Sequence, residues 1–103
     1  MQVPTELTFH GLDHSDPAQA AVERWVARLE YLHARLLKCE VAIDQPHREL
    51  RVRVRLTVLG TELDAKAESE DIYLAIADAF RAAHCQLRAT RRLSRELRPV
   101  VTL

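Results

Sequence analysis

Glycine is nearly missing from this chain, with two residues in 103, Gly11 and Gly60. A loop that cradles phosphate in backbone N–H groups needs several glycines, so that chemistry is excluded. Cysteine is as scarce: Cys39 and Cys85 lie far apart and neither has a CxxC partner, a usage that fits a reducing, cytosolic setting. No apolar run approaches the roughly 20 residues of a membrane span. The start from Met1 to Gly11 has neither the basic nor the apolar region of a secretory signal. An excess of one charge is also lacking, since fifteen basic residues face fifteen acidic ones. No overall field draws the protein to a polyanion, so any such attraction must come from a local concentration of one sign.

What is present is strong periodicity. Glu68 to Leu97 reads as one long helix. At about 100° per residue, Ile72, Ile76, Ala79, Ala83 and Leu87 share one side, flanked by Phe80. Arg81, Arg88, Arg92 and Arg95 share the opposite side, with Cys85 between them and no carboxylate on the line. Folding requires the apolar face and makes no demand for the arginines.

The remainder falls into short, clear elements. Glu6 to His10 alternates as a strand that Gly11 closes. Asp16-Pro17-Ala18-Gln19 opens a helix, with Asp16 as its cap, Pro17 at the first helical position and Gln19 completing a capping box. That helix is expected from Pro17 to about Leu37. Its apolar stripe is Val22, Trp25, Val26, Leu29, Leu32 and Leu36; Arg24, Arg28, Tyr31 and Arg35 form a second stripe opposite. Cys39 to Asp44 alternates next, and Arg48 to Leu59 is the clearest strand, with Leu50, Val52, Val54, Leu56 and Val58 facing inward. Leu63, Ala65 and Ala67 are the inward set of the strand after it. Parity requires an even-length turn between these two, and Leu59-Gly60 supplies it. Leu56 then meets Leu63, Val54 meets Ala65, Arg55 meets Asp64 and Arg51 meets Glu68.

The expected fold class is therefore α+β, in the order β-α-β-β-β-α. A four-stranded sheet carries both helices on one face as a two-layer sandwich, and its charged face meets water. Residues 1–98 form a single domain and 99–103 a short tail.

Most candidate sites dissolve on inspection. His10 and His14 with Asp13 and Asp16 are rich in ligand atoms, but a strand-to-turn spacing fixes no coordination geometry. Turn polarity and a helix cap account for them, so no metal is expected. Cys85 lies between Arg81 and Arg88 without an acid, base or oxyanion partner, and is read as a small filler. No cofactor, small-molecule substrate or enzymatic function is expected. Arg51, Arg53 and Arg55 resemble an RNA-reading strand, yet Glu40, Asp44, Glu62, Asp64 and Glu68 would neighbour them and neutralise the face. The helix stripes have fewer acidic neighbours and make the better polyanion surface.

Ala65 to Ile76 resembles the strand-to-helix junction of the ribosome hibernation-promoting factor and ribosome-associated inhibitor A family. The D-x-Y-x-A-I signature of that family is matched by Asp71, Tyr73, Ala75 and Ile76, and the match continues through Gln86-Leu87. Phe9-His10-Gly11 and Trp25-Val26 are similar to its first strand end and to an aromatic-Val pair. The resemblance implies a fold like a double-stranded-RNA-binding domain with an extra strand. It further implies binding to the small ribosomal subunit near the decoding region, with silencing of idle ribosomes. Arg28 matches a basic site of the first helix, and Arg88, Arg91 and Arg92 lie in the basic end of the second. Ala82 and Tyr31 depart from positions that are usually basic. The chain resembles the short form, without the second, ribosome-dimerising domain of longer relatives. The RNA-binding set is thus Arg24, Arg28, Arg35, Arg81, Arg88, Arg91, Arg92 and Arg95, and the partner is small-subunit ribosomal RNA. The alternative is a diverged homologue without ribosome binding, a protein-interaction module that pairs with itself or a partner through an edge strand or the Leu74 region. A weak homodimer is the further partner expectation.

Overall fold

Alternation and helical period place the elements, and the computed structural model of the chain describes residues 3–32, 35–58 and 61–97, with side chains through residue 89. The order is β1 (Thr5–His10), α1 (Asp16–Leu32), β2 (Leu36–Asp44), β3 (Leu50–Val58), β4 (Thr61–Ser69) and α2 (Ile72–Leu97). This is the expected β-α-β-β-β-α sequence. The strands lie side by side as β1-β2-β3-β4, with β1 parallel to β2 and the other pairs antiparallel. A parallel pair needs a long crossover, and α1 provides it.

The β3–β4 register is the one expected from parity and a two-residue turn. Leu56 opposes Leu63, Val54 opposes Ala65, Arg55 opposes Asp64 and Arg51 opposes Glu68. The Leu59-Gly60 turn itself lies outside the described residues, as does the 99–103 tail. Gly11 closes β1 at φ +70°, a left-handed conformation that glycine adopts without the clash a Cβ would bring.

Inward side chains of β2, β3 and β4 meet those of both helices in one core. Phe80, Leu29, Ile43, Leu56, Ile76, Val22, Val52 and Val54 are all but fully buried. At roughly 1.5–3 kcal/mol per large apolar side chain, this set supplies most of the drive to fold. The helix α2 lies over β3 and β4, and α1 lies over β2 and against α2.

Besides β3, which begins at Leu50 rather than Arg48, three parts of the fold depart from the sequence expectation, the first being the junction of α1 and β2. The first helix ends at Leu32 rather than near Leu37, and β2 begins at Leu36 rather than Cys39. Leu36 and Cys39 both point into the core although they are three apart, which strict alternation forbids. A register shift between Leu36 and Lys38 inserts Leu37 as an extra residue and restores the parity. Leu32, expected in the apolar stripe, is 47% exposed, and Arg35 stands in the turn before β2 instead of on the helix.

The cap of α1 is the second difference. Ser15, not Asp16, is the cap: Ala18 N–H donates to its Oγ at 3.3 Å, and its carbonyl accepts the first helical bond, from Gln19 N–H, at 3.0 Å. The Gln19 amide donates to Glu23 at 3.0 Å, so no capping box forms. Third, α2 starts at Ile72 because β4 continues to Ser69 to complete its pairing with Leu50. Asp71 accepts from Tyr73 N–H at 2.8 Å and from Leu74 N–H at 3.4 Å, which makes it the helix cap.

Candidate nucleic-acid interface

The outward side of α1 presents Arg24 and Arg28, one turn apart, and the outward side of α2 presents Arg81 and Arg88, two turns apart; all four are exposed. Because both helices cover the same face of the sheet, these side chains share one side of the molecule. Arg35 is also exposed but stands beyond the helix end, so it flanks the surface rather than extending the stripe. Arg91, Arg92 and Arg95 belong to the later turns of α2, and their side chains lie outside the described residues.

The two helices meet at an aromatic contact. Trp25 of α1 stacks on Phe80 of α2, with ring centroids 5.9 Å apart and planes inclined by 12°. Phe80 is fully buried and Trp25 half-buried, so the indole is held from below and opens outward between the helices. The Arg28 guanidinium carbon lies 5.5 Å from the indole centroid and that of Arg81 lies 6.0 Å from it. Both distances fall within cation–π range. Ala21, Arg24, Trp25 and Arg28 line a shallow hollow beside this contact. The sequence placed Trp25 in the apolar stripe alone. Its position one residue after Arg24 and three before Arg28 was the available sign that the ring borders the arginine face.

Carboxylates divide the arginines into two groups. On the water-facing side of the sheet, Arg51 pairs with Asp44 through two contacts, Nε to Oδ1 at 3.0 Å and Nη2 to Oδ2 at 2.5 Å. Arg53 and Arg55 both reach Asp64, at 3.8 and 3.9 Å. Lys38 lies 3.4 Å from Glu40 and 3.9 Å from Glu6. The sheet face is internally neutralised, as its sequence suggested. On the helix side, Arg24, Arg28, Arg35 and Arg88 have no carboxylate within ion-pair distance among the described residues. Arg81 differs from expectation, because Asp78 one turn earlier lies 3.4 Å from its Nη1. Both partners are exposed, so the pair is weak and open to competition.

Electrostatic perturbation falls elsewhere. The Arg51 hydrogen bond holds the Asp44 carboxyl below its ordinary range. Burial, aided by the nearby Glu40 charge, pushes the Cys39 thiol up to about 12, which leaves it an inert core residue. Cys39 is buried and Cys85 exposed, and both are free. His14 contacts Asp16 at 2.9 Å and meets Phe9 edge-on, so the histidine-rich turn is tied to its own neighbours. No helix among the described residues is long and apolar enough to cross a membrane.

Residues 5–94 match the family described as sigma 54 modulation protein / S30EA ribosomal protein. Over 76 residues the chain is 34% identical to a ribosome hibernation promoting factor of Azotobacter vinelandii, covering 74% of this chain and 69% of that protein. A ribosomal subunit interface protein from Coxiella burnetii superposes with a TM-score of 0.82 at 18% identity, over 87% of this chain and 99% of its own. The N-terminal domain of Thermus thermophilus Protein Y superposes with a TM-score of 0.75 at 22% identity, over 87% and 99%. At those identities the two structures speak to the fold. The match over residues 5–94 extends the likeness carried by Asp71, Tyr73, Ala75 and Ile76 to most of the chain, which belongs to the sigma 54 modulation protein / S30EA ribosomal protein family, that of the ribosome hibernation promoting factors.

Proposed function

We propose that this protein is a non-enzymatic ribosome-associated factor that rests its helix face on small-subunit ribosomal RNA near the decoding region and holds idle ribosomes silent. The observation that carries this reading is the division of the arginines. Those on the sheet are spent on Asp44 and Asp64, while Arg24, Arg28 and Arg88 on the helices have no such partner among the described residues. A guanidinium without a carboxylate has its full charge for a phosphate, so a chain of zero net charge still offers a polyanion one basic side. The kinship with a hibernation promoting factor supports the ribosome as the source of that polyanion.

Backbone phosphate contacts carry affinity without sequence information, so binding is steeply salt-dependent. The test is co-sedimentation with small subunits at low and high salt, for the wild type and for a triple replacement of Arg24, Arg28 and Arg88 by Glu. The wild type pellets with subunits at low salt and the triple variant stays in the supernatant, with an unchanged circular dichroism spectrum. A variant that still pellets removes the helix face from the reading.

Self-pairing is the second reading, and the exposure of Tyr73 and Leu74, at 49% and 54%, is what favours it. Light scattering separates the two, since a tight dimer that survives Leu74→Glu places the contact elsewhere.

A further inference from the structure

Arginine side chains are long and costly to order, and an exposed one samples many rotamers before it meets a phosphate. Arg28 and Arg81 are in a different situation, because each lies against the same indole although they belong to different helices. We infer that Trp25 is the positioning residue of the RNA-binding surface: its ring gathers Arg28 of α1 and Arg81 of α2 so that both guanidiniums meet neighbouring phosphates of a single RNA strand. This rests on the helix face being the RNA surface.

Three features of the site support the inference. Trp25 is supported on its inner face, where fully buried Phe80 stacks against it. Both guanidinium carbons lie within about 6 Å of one centroid, so they are at most about two such distances apart, whatever their sides of the ring. Asp78 also contacts Arg81, at 3.4 Å, in an exposed pair that a phosphate can displace. The ring face leaves the guanidinium N–H groups available to donate, and of these only Arg81 Nη1 is engaged, by Asp78, among the described residues. Ala21 beside the ring adds no bulk, and the hollow bounded by Arg24 and Arg28 leaves a phosphate room to approach.

The experiment measures affinity for a short unstructured RNA by fluorescence anisotropy across a salt series, with a melting temperature for every protein. The proteins are the wild type, Trp25→Leu, Trp25→Phe, Arg28→Ala and the Trp25→Leu/Arg28→Ala pair. Trp25→Leu is expected to bind about three- to tenfold more weakly, the range that ordering about one long side chain no longer held by the ring would cost. Trp25→Phe, which keeps an aromatic face, recovers most of that loss, and Arg28→Ala costs less in the Trp25→Leu background than alone. A packing role predicts instead that affinity follows the melting temperature and that Arg28→Ala costs the same in both backgrounds; either result overturns the inference. Trp25 is the sole tryptophan of the chain, which provides a measurement free of substitution. RNA at constant ionic strength should shift its emission as phosphate charge reaches the guanidiniums held on the ring, and an unaltered spectrum at saturation overturns the inference too. Absence of binding by the wild type is the distinct failure, that of the RNA surface itself.

Discussion

Asp44 at the end of β2 and Arg51 near the start of β3 face each other across the strands and close a two-point ion pair over the water-facing side of the sheet. The sequence offered Arg51 a different carboxylate, Glu68 on β4, which stands directly opposite on the other side. Arg51 takes Asp44 because that geometry allows a bidentate contact, and Glu68 adds only a more distant attraction.

This pair makes stability depend on acid. Asp44 titrates below its ordinary value in the folded chain, so its contribution is present above the unfolded carboxyl's range and is lost as pH falls through the folded one. Asp44→Asn should therefore lower the melting temperature at neutral pH, and the gap to the wild type should narrow as pH falls through the folded carboxyl's range. Thermal melts of both proteins from pH 7 down to pH 2 check this; parallel curves would contradict it.

Asp71, the first residue of the family signature, works as a cap. Its replacement by Ala leaves the N–H groups of Tyr73 and Leu74 without their acceptor, at a cost of about 1 kcal/mol. For a domain of this size that is a fall of roughly 4–8 °C in melting temperature. Asp71→Ser should recover most of it, since serine also caps. Equal melting of the Ala and Ser variants would assign the signature residue another task.

Phe80 supports both core and surface. Phe80→Ala removes a fully buried ring at a cost of about 3–5 kcal/mol. A domain holding roughly 5–15 kcal/mol in all is left marginal by this change. Urea unfolding should show the midpoint falling with little change in slope.

Arginines of the two faces should separate in RNA binding. Arg53→Ala alters an ion pair with Asp64 and is expected to leave affinity for small-subunit RNA within about twofold. Arg88→Ala should weaken it and reduce the slope of log K against log salt by about 0.7–0.9, the loss of one phosphate contact. Isothermal titrations at four salt concentrations provide both numbers.

Asp78→Asn tests the same surface in the opposite direction. Freeing Arg81 from its carboxylate should strengthen RNA binding by a few-fold, with little effect on melting. Weaker binding would show that Asp78 orients Arg81 rather than competing for it.

How far the sequence reaches is clearest in the strands. The β3–β4 register followed from parity together with a two-residue turn at Leu59-Gly60, because side chains alternate with period two and a single-residue slip would expose Val52, Val54 and Leu56. The same logic failed at Leu36, where a bulge adds a residue to one strand. Leu36 satisfied both the helical stripe and the strand, and pairing with Val58 decided between them. The Ser15 cap was missed because Asp16 is an equally good capping type one residue on, and only the backbone geometry selects between adjacent candidates.

By itself, then, the sequence determined the order of elements, the inward and outward faces of the strands and the pairing of β3 with β4. All of these depend on periodicities that reach only a few residues along the chain. Tertiary structure alone decided that β1 lies parallel beside β2, that Arg51 pairs with Asp44 rather than Glu68, and that Trp25 gathers arginines from two helices. Each of those depends on where whole elements come to rest against one another, and packing of the shared core sets that position.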